Sequence, residues 1–352
     1  MLHPTAHSPP APQIRPADED ALAAATEILR AGGVVAFPTE TVYGLGANAL
    51  SAAAIERIYR EKGRPAWNPL IVHAESVERA RTLTSDWPAV ADALAARFWP
   101  GPLTLVLRRS ATLPAEVSAG RPTVAVRVPA HPVALRLLAA CGLPLAAPSA
   151  NRSEHISPTT AAHVAASLPG LPLVVDGGPC QYGIESTVVD LTSDPPRLLR
   201  PGAVPLRDLR TVLPTLALPD PATTLLVDET APTSPGQMRR HYAPRVPLSI
   251  LPSDATTQPG ALADLPAPRG LITHIDAPAL AAACVAVERL PADAPGYAAD
   301  LYAALHRLDD PRHHLASIAV LAPPQGHADP DGLWLAIADR LRRAAAPPSP
   351  SS

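Results

Sequence analysis

Short apolar runs that alternate with helical segments constrain this fold more than any other feature of the sequence. The runs, such as Val34–Phe37 and Leu173–Asp176, have the length and composition of strands that are buried on both faces. Segments with an apolar stripe and capping residues separate them, and such alternation is typical of an α/β domain. We therefore predict a large, twisted, open-sheet α/β domain over residues 17–210.

The remainder of the chain predicts a linker and a second domain. Residues 211–247 begin rich in Pro, Leu and Thr and end with many specific polar groups, including HYAP, which favours an ordered linker. Strand-like and helical runs resume in residues 248–344 and predict a smaller, Rossmann-like α/β domain. The Pro-rich residues 1–16 and the tail 345–352 are expected to be disordered.

The composition argues against several classes of protein. No apolar run approaches the roughly 20 residues of a membrane helix. Residues 1–16 lack the apolar core of a signal peptide, so we expect a cytoplasmic protein without membrane contact. The formal charge of -3 does not favour a general nucleic-acid binder. The three cysteines are widely spaced, which favours reduced thiols over a disulfide framework or a zinc site.

Lysine occurs once in the sequence, at Lys62, although arginine is abundant. A site that needs a compact ammonium would preserve such a residue, but one lysine can also survive by chance. Lys62 and Arg64 stand beside Gly63 and Pro65, which predicts that a loop presents both cations between a helix and a strand. Two cations on one loop favour a polyanion site, and a solvated surface is the alternative.

The segment Gly32–Leu50 predicts a second functional loop. Its apolar strand passes through Pro38 into polar residues before it reaches Tyr43, Gly44 and Gly46. Loops at strand ends bind ligands in open α/β sheets. The glycines also fit the GxGxxA dinucleotide fingerprint by letter, but polar or bulky residues separate them from the strand end, which disfavours that interpretation.

Polar residues within or after apolar runs give further candidates. Arg127 lies in the strand pattern of residues 123–129 with no partner visible nearby, so it is either an edge residue or part of a site. Ser149, Asn151 and Ser157 follow another buried run. Ser157 can equally cap the next helix, or do both.

Several common chemistries lack their motifs in this sequence. No Walker phosphate loop and no GxSxG elbow occurs. The pairs His155 and His163, and His313 and His314, lack the spacing of a metal site, so we predict no metal ligands. The cations, hydroxyls and amides instead favour binding of a nucleoside triphosphate and a small polar molecule, with catalysis by alignment and charge stabilisation.

Seven ordered motifs give the chain a family resemblance. They are FPTETVYGLG (37–46), KGRPAWNPL (62–70), FWPGPLTLVL (98–107), TVAVRVP (123–129), PSAN (148–151), GIESTVVD (183–190) and LRPG (199–202). This series resembles the threonylcarbamoyl-AMP synthase family, and SPGQMRRHYAP (234–244) with the small domain resembles its long, two-domain form. The resemblance covers residues 17–344. Glu61 and the segment Gln237–Arg240 depart mildly from the usual pattern.

The resemblance implies an ATP-dependent enzyme, a nucleotidyltransferase. It would join L-threonine, bicarbonate or CO2, and ATP into L-threonylcarbamoyl-adenylate, release pyrophosphate and use Mg2+ as a cofactor. The product would pass to the tRNA threonylcarbamoyl transferase machinery for formation of threonylcarbamoyladenosine. A weak direct contact with tRNA is compatible with this role.

The resemblance also implies two sets of site residues. The threonine set, expected around L-threonine, is Thr41, His73, Arg127, Ala147 and Ser186. The nucleotide set, expected to hold ATP, is Lys62, Arg64, Asn68, Thr123, Ser149, Asn151, Ser157, Arg200 and Tyr242. Lys62, Arg64 and Arg127 would be the catalytic residues. Arg127 would pair with the carboxylate of threonine, and Tyr242 would belong to a lid that excludes water.

Two other functions remain open at this point. The first domain also resembles the carbamoyl-adenylate module of hydrogenase maturation factors, but the chain has no zinc-finger cysteines and no room for their extra domains. A non-catalytic RNA-binding role is the other alternative, and the acidic balance of charge disfavours it.

Overall fold

Two β-sheets organise the residues that the structure, a computed structural model, describes: 12–218, 238–258, 260–323 and 332–347. The described strands of the first sheet are β1 (Gln13–Pro16), β2 (Val35–Phe37), β3 (Gly44–Asn48), β4 (Ile71–His73), β5 (Leu103–Arg108), β6 (Thr123–Arg127), β7 (Leu145–Ala146), β8 (Leu173–Asp176), β9 (Thr187–Asp190) and β10 (Arg197–Arg200). The described strands of the second sheet are β11 (Leu248–Leu251), β12 (Arg269–Thr273), β13 (Ala286–Arg289) and β14 (Ser317–Leu321). The prediction of an α/β fold with a large sheet and a second, smaller sheet domain is confirmed.

Helices connect and cover both sheets. Around the first sheet they are α1 (Glu19–Arg30), α2 (Ala52–Lys62), α3 (Val77–Thr82), α4 (Ala89–Phe98), α5 (Pro132–Cys141), α6 (Ala161–Ser167) and α7 (Leu206–Arg210). Around the second sheet they are α8 (Pro278–Ala282), α9 (Ala294–Leu308) and α10 (Leu333–Ala344). None of these described helices combines the length and the apolar character that a membrane crossing needs.

The first sheet is mixed, with the strand order β1-β8-β2-β3-β7-β4-β6-β5-β9-β10. Strands β4 and β6 run parallel, and their last residues, His73 and Arg127, are register partners. Strand β6 is antiparallel to β5, and β5 is parallel to β9, so the last residues of β4 and β6 lie beside the first residues of β5 and β9. The polar residues next to these strand ends therefore meet at one edge of the sheet.

Helix α1 illustrates how the sequence builds the cover of this sheet. Asp18 caps the helix by accepting a hydrogen bond from the backbone N–H of Ala21, and acidic residues in the first turn suit the helix dipole. Its apolar stripe, which includes Leu22 and Leu29, is buried with Leu137 of α5 and Val35 of β2 in one core cluster. The amphipathic pattern thus fixes which face of α1 lies on the sheet.

Three local predictions are wrong. Residues 13–16, expected to be disordered, form strand β1 parallel to β8, because backbone pairing with β8 holds an edge segment that buries little. Gly44 and Gly46, expected in a loop, lie in β3, which pairs antiparallel with β2. Lys62, expected in a loop, is the last residue of α2, and Gly63 ends the helix in the left-handed conformation with φ 59°.

The second sheet is all parallel, with the order β11-β14-β12-β13. Helices α9 and α10 pack on one face through residues such as Leu301 and Ile337, and α8 packs on the other through Leu280. Parallel strands are normally covered on both faces in this way. Gln237 and most of the predicted linker, residues 219–237, lie outside the described residues.

The two sheet domains share one apolar cluster. Val42, Ile156 and Ile184 of the first domain belong to the same cluster as Tyr297 and Leu301 of α9. The two domains approach closely at Gly183, where an added Cβ would lie 2.4 Å from the backbone oxygens of both residues 298 and 299. The domains therefore dock through backbone contact that only glycine permits.

Gly183→Ala is expected to destabilise the folded chain by more than the matched change Gly142→Ala. Gly183 has φ +67°, and Gly142, with φ +64°, has no atom within 4 Å of an added Cβ. Gly142→Ala should therefore lower the free energy of unfolding only by the cost of placing an alanine in the left-handed conformation, about 1–2 kcal/mol. Gly183→Ala should carry the same cost and add an overpacking cost of about 1–3 kcal/mol. Denaturant unfolding of both variants measures the difference, and equal losses would show that the domain contact adjusts without cost.

Candidate active site

An open cavity with an empty volume of about 510 Å³ lies at the sheet edge where these strand ends meet. Its lining residues are Thr39, Thr41, Val42, Gly44, Arg64, Ile71, His73, Arg127, Ala147, Pro148, Ser149, Glu185, Ser186, Arg200 and His241. All five residues of the threonine set are among them. From the nucleotide set the cavity contains Arg64, Ser149 and Arg200.

The loop between β2 and β3 forms one wall of the cavity and is held by its own hydroxyls. Thr39 Oγ1 donates to the carbonyl oxygen of Val42 at 2.6 Å and accepts from the backbone N–H groups of Thr41 and Val42, each at 3.2 Å. The hydroxyls of Thr39 and Thr41 are 2.8 Å apart. This network fixes Thr41 Oγ1 at the cavity wall, where it also accepts from Arg127 at 3.1 Å.

Arg127 has a partner that the sequence did not suggest. Its Nη2 donates to Glu40 Oε1 at 2.6 Å, its Nε donates to the carbonyl oxygen of Gly101 at 3.2 Å, and both side chains of the ion pair are at most 4% exposed. Of the two alternatives for Arg127, the structure excludes an exposed edge residue, because the side chain is buried and lines the cavity. The sequence did not suggest this partner because Glu40 stands 87 residues away in the chain. It lies in the loop between β2 and β3, which contacts the end of β6.

His73 is an uncharged member of the cavity wall. The side chain is 3% exposed and its Nδ1 is buried without a hydrogen-bond partner among the described residues. Burial, with the nearby charge of Arg127, lowers the pKa of His73 to about 3. The imidazole is therefore neutral at physiological pH and adds no second charge beside Arg127.

Two further arginines, Arg64 and Arg200, also line the cavity. Arg64 donates from Nε to the carbonyl oxygen of Asn68 at 3.1 Å and from Nη2 to Asn68 Oδ1 and to the carbonyl oxygen of Pro69. Arg200 donates from Nη2 to the backbone and side-chain oxygens of Ser186 at 2.9 and 3.1 Å. Burial lowers the pKa of Arg64 to about 10, so the guanidinium stays charged at neutral pH.

Lys62 lies behind the cavity wall, outside its lining. Its Nζ donates to the carbonyl oxygen of Ser149 at 2.6 Å and to that of Asn151, so it holds the loop that follows β7. Burial and the neighbouring Arg64 lower the pKa of this ammonium well below its usual value. The lone lysine thus bonds two backbone carbonyls, a task for a compact ammonium rather than a planar fork.

The other members of the nucleotide set lie near the cavity or away from it. Asn68 supports Arg64, Asn151 donates to the carbonyl oxygens of residues 152 and 155, and Ser157 donates to Glu185 at 2.6 Å. Thr123 begins β6, whereas the cavity lies at the other end, roughly 13 Å away at about 3.3 Å per residue. The structure does not bring Thr123 to the cavity.

Tyr242 is fully buried beside the cavity wall and does not line the cavity. Its ring stacks on Tyr302 with centroids 5.7 Å apart, and its φ of 62° is unusual for a tyrosine. The preceding residue, His241, does line the cavity, and burial with the charge of Arg64 lowers its pKa well below the usual value. The linker therefore closes one side of the cavity through His241.

The sequence predictions missed two ionisable cavity residues, His241 and Glu185. Both residues occur inside motifs that were recognised, HYAP and GIEST. A polar residue next to buried neighbours in each motif was the signal that could have predicted them. Glu185 accepts hydrogen bonds from Ser157, Tyr302 and Arg340. Burial alone would raise its pKa, but Arg340 and Arg200 outweigh burial and hold the pKa of Glu185 below the usual value.

A cavity that gathers three buried arginines at the edge of a mixed α/β sheet is typical of proteins that bind small anionic ligands. The family model described as "Telomere recombination" matches residues 27–202, and the model described as "Threonylcarbamoyl-AMP synthase, C-terminal domain" matches residues 204–346. The chain belongs to the threonylcarbamoyl-AMP synthase family, a family of enzymes that make threonylcarbamoyl-AMP.

Individual relatives agree with this assignment. The chain is 49% identical over 228 residues to a threonylcarbamoyl-AMP synthase of Pyrococcus abyssi, which covers 64% of this chain and 66% of the relative. It is 48% identical over 231 residues to that of Bacillus subtilis, which covers 65% and 66%. These alignments thus span just under two thirds of each relative.

A solved structure matches over a greater length. The crystal structure of Pyrococcus abyssi Sua5 complexed with L-threonine superposes with a TM-score of 0.84 at 38% identity. The match covers 95% of this chain and 97% of that chain. Both sheet domains are therefore shared with a protein that was crystallised with L-threonine.

Proposed function

We propose that this protein makes L-threonylcarbamoyl-adenylate from L-threonine, bicarbonate or CO2, and ATP, with release of pyrophosphate. The observation that carries the proposal is one cavity that is lined by the whole threonine set together with Arg64 and Arg200 of the nucleotide set. An amino acid and a triphosphate held together in one cavity can react without a covalent enzyme intermediate. Family membership supports the same reaction.

On the threonine side, the proposed anchor is Arg127. Its guanidinium is fixed by Glu40, Thr41 and the carbonyl oxygen of Gly101, so a carboxylate that approaches from the cavity meets a cation of fixed orientation. Gly44 and Ala147 keep this wall free of large side chains, since a Cβ on Gly44 would lie only 3.3 Å from that of Ala147. The wall can therefore accept a small amino acid.

On the nucleotide side, Arg64 and Arg200 would stabilise the phosphates. In the proposed reaction the amine nitrogen of threonine first forms a bond to the carbon of CO2, which bicarbonate supplies by losing hydroxide, and the nitrogen then loses a proton to give a carbamate. A carbamate oxygen then forms a bond to the α-phosphorus of ATP, and the bond from that phosphorus to the bridging oxygen breaks, so pyrophosphate leaves with the electron pair. Fixed cations near the phosphates lower the cost of the charge that develops on the leaving group.

Mg2+ fits this site as a companion of ATP rather than as a resident of the protein. Among the described residues, no group of three or more His, Cys, Asp or Glu side chains could hold a metal ion. Both oxygens of the cavity carboxylate Glu185 already accept hydrogen bonds from neighbouring side chains. Mg2+ usually keeps several waters and binds through substrate phosphates. When bound, the ion would neutralise part of the phosphate charge beside Arg64 and Arg200.

The proposed product would serve formation of threonylcarbamoyladenosine in tRNA. An acyl-adenylate is a reactive mixed anhydride, so it would have to pass quickly to the tRNA threonylcarbamoyl transferase machinery. A cytoplasmic location and, at most, weak contact with tRNA are part of the same proposal.

The reaction predicts a strict requirement for both small substrates. Pyrophosphate release from ATP and Mg2+ should occur with L-threonine and bicarbonate together and fall to background when either is omitted. A coupled pyrophosphate assay in carbonate-depleted buffer measures this, with L-serine as the matched control for the threonine methyl group. Equal release with serine, or release without bicarbonate, would contradict the proposed reaction.

A further inference from the structure

Arg340, on helix α10 of the second domain, ends inside the first domain. The side chain is 0% exposed and is the largest fully buried side chain among the described residues. Its Nε donates to Glu185 Oε2 at 2.8 Å, and its Nη1 donates to the carbonyl oxygen of Pro201 and to Asp339 Oδ2, each at 2.9 Å. Glu185 and Pro201 belong to the first domain. One arginine of the second domain therefore bonds to two segments of the first.

Glu185 connects this arginine to the cavity. The cavity lining includes Glu185, and its Oε1 accepts from the hydroxyl of Ser157 at 2.6 Å. The hydroxyl of Tyr302, on α9, donates to Oε2 at 3.1 Å. Both oxygens are thus engaged by neighbours, so the carboxylate fixes those neighbours rather than reacting itself.

Arg340 also contacts the linker. Its guanidinium carbon lies 5.1 Å from the ring centroid of Tyr242, within cation–π distance. The residue before Tyr242 is His241, which lines the cavity. Two separate parts of the cavity wall, Glu185 and the His241 segment, therefore meet at one guanidinium.

We propose that Arg340 is a positioning residue through which the second domain sets the orientation of Glu185 and of the His241–Tyr242 segment at the cavity. This inference rests on the proposed function, and it assigns the second domain a direct part in the reaction. Docking of the second domain would complete the cavity wall, and loss of Arg340 would leave Ser157, Glu185 and His241 less well oriented. Misplacement of about 1 Å far from the reacting atoms can cost about 10²-fold in rate.

Loss of Arg340 should also change the pH dependence of the reaction. Glu185 is faced by Arg340 of α10, Tyr302 of α9, Arg200 of β10 and Tyr242 of the linker, and Asp339 of α10 bonds to Arg340. Arg340 contributes to the lowered pKa of Glu185, so removing it raises that pKa. The carboxylate of Glu185 is charged only above its pKa. In the variant it therefore becomes protonated at a higher pH than in the wild type as the solution is acidified. The acid side of the kcat/KM profile should move to higher pH.

The test compares the full-length Arg340→Met, Arg340→Lys, Glu185→Gln and Arg340→Met/Glu185→Gln variants, with Arg342→Met as the control. Arg342 is exposed on the same helix. We expect Arg340→Met to lower kcat by about 10²-fold with its acid limb moved, Arg340→Lys to recover part of the rate, and Arg342→Met to change it by less than about twofold. The double variant should be no slower than Glu185→Gln alone, because no unpaired charge remains.

Three results would overturn the inference: an Arg340→Met rate equal to that of the wild type, an acid limb that does not move, or losses that add in the double variant. Wild-type protein that releases no pyrophosphate with L-threonine and bicarbonate would instead overturn the proposed function. ATP binding does not depend on the reaction, so its affinity can then be measured by calorimetry for the wild type, Arg340→Met, Glu185→Gln and the double variant. The losses in binding free energy are tested for additivity in the same way.

Discussion

Replacing Arg64 by alanine is expected to lower the rate of pyrophosphate release by about 10²-fold or more, the usual loss when one fixed transition-state donor is removed. Arg64 lines the cavity, is only 7% exposed and is oriented by the carbonyl oxygens of Asn68 and Pro69. With a pKa near 10, the guanidinium remains charged at neutral pH. Initial rates at saturating L-threonine, bicarbonate and ATP measure the change.

Two variants separate this catalytic effect from damage to the fold. Arg60→Ala removes an exposed arginine from α2, the helix that ends just before Arg64, and should change the rate by about twofold at most. Arg64→Lys keeps a charge but not the planar fork, and should recover only part of the rate. An Arg64→Ala protein as active as Arg60→Ala would remove Arg64 from the phosphate-binding role.

The sequence predicted most of the sheet elements, because their signals are local. Helix α1 shows its cap, its acidic first turn and its apolar stripe within residues 18–30. Strand β8 is a continuous apolar run, and it was predicted with the bounds that the structure has, Leu173–Asp176. Such elements need no information from distant parts of the chain.

The errors arise where distant contacts decide the structure. Gly46 is in a strand because it lies against the ring of Phe37, where an added Cβ would be 2.6 Å away, and nothing local marks that approach. Strand β13 and helix α8 were not predicted, since Ala286–Arg289 and Pro278–Ala282 are short and only weakly periodic. Tertiary pairing overrides local propensity in such segments.

The candidate site shows the same division. The family resemblance predicted the five threonine-set residues, and all five line the cavity. It did not predict the two contacts that cross the fold, Glu40 to Arg127 and Arg340 to Glu185. These partners are separated by 87 and 155 positions, so no local pattern can connect them.

Replacing Glu40 by glutamine is expected to destabilise the folded protein by about 3–5 kcal/mol, the usual cost of breaking a buried ion pair from one side. The change keeps the shape of the side chain and removes only its charge, which leaves Arg127 in a buried site with its ion-pair partner removed. The pair is 2.6 Å apart, and its side chains are 4% and 3% exposed. Denaturant unfolding followed by circular dichroism gives the free energy of unfolding.

The matched control is Glu19→Gln, which breaks a surface ion pair with Arg136 in the same domain. The Glu19 side chain is 87% exposed, so its loss should cost only about 0–1 kcal/mol. The double variant Glu40→Met/Arg127→Met should regain part of the stability lost in Glu40→Gln, because it leaves no unpaired buried charge. It should nevertheless fail to bind L-threonine, since Arg127 is the proposed carboxylate anchor. Equal unfolding free energies for Glu40→Gln and Glu19→Gln would show that water reaches the pair and screens it. In that case Arg127 would not be held as a fixed fork at the cavity wall.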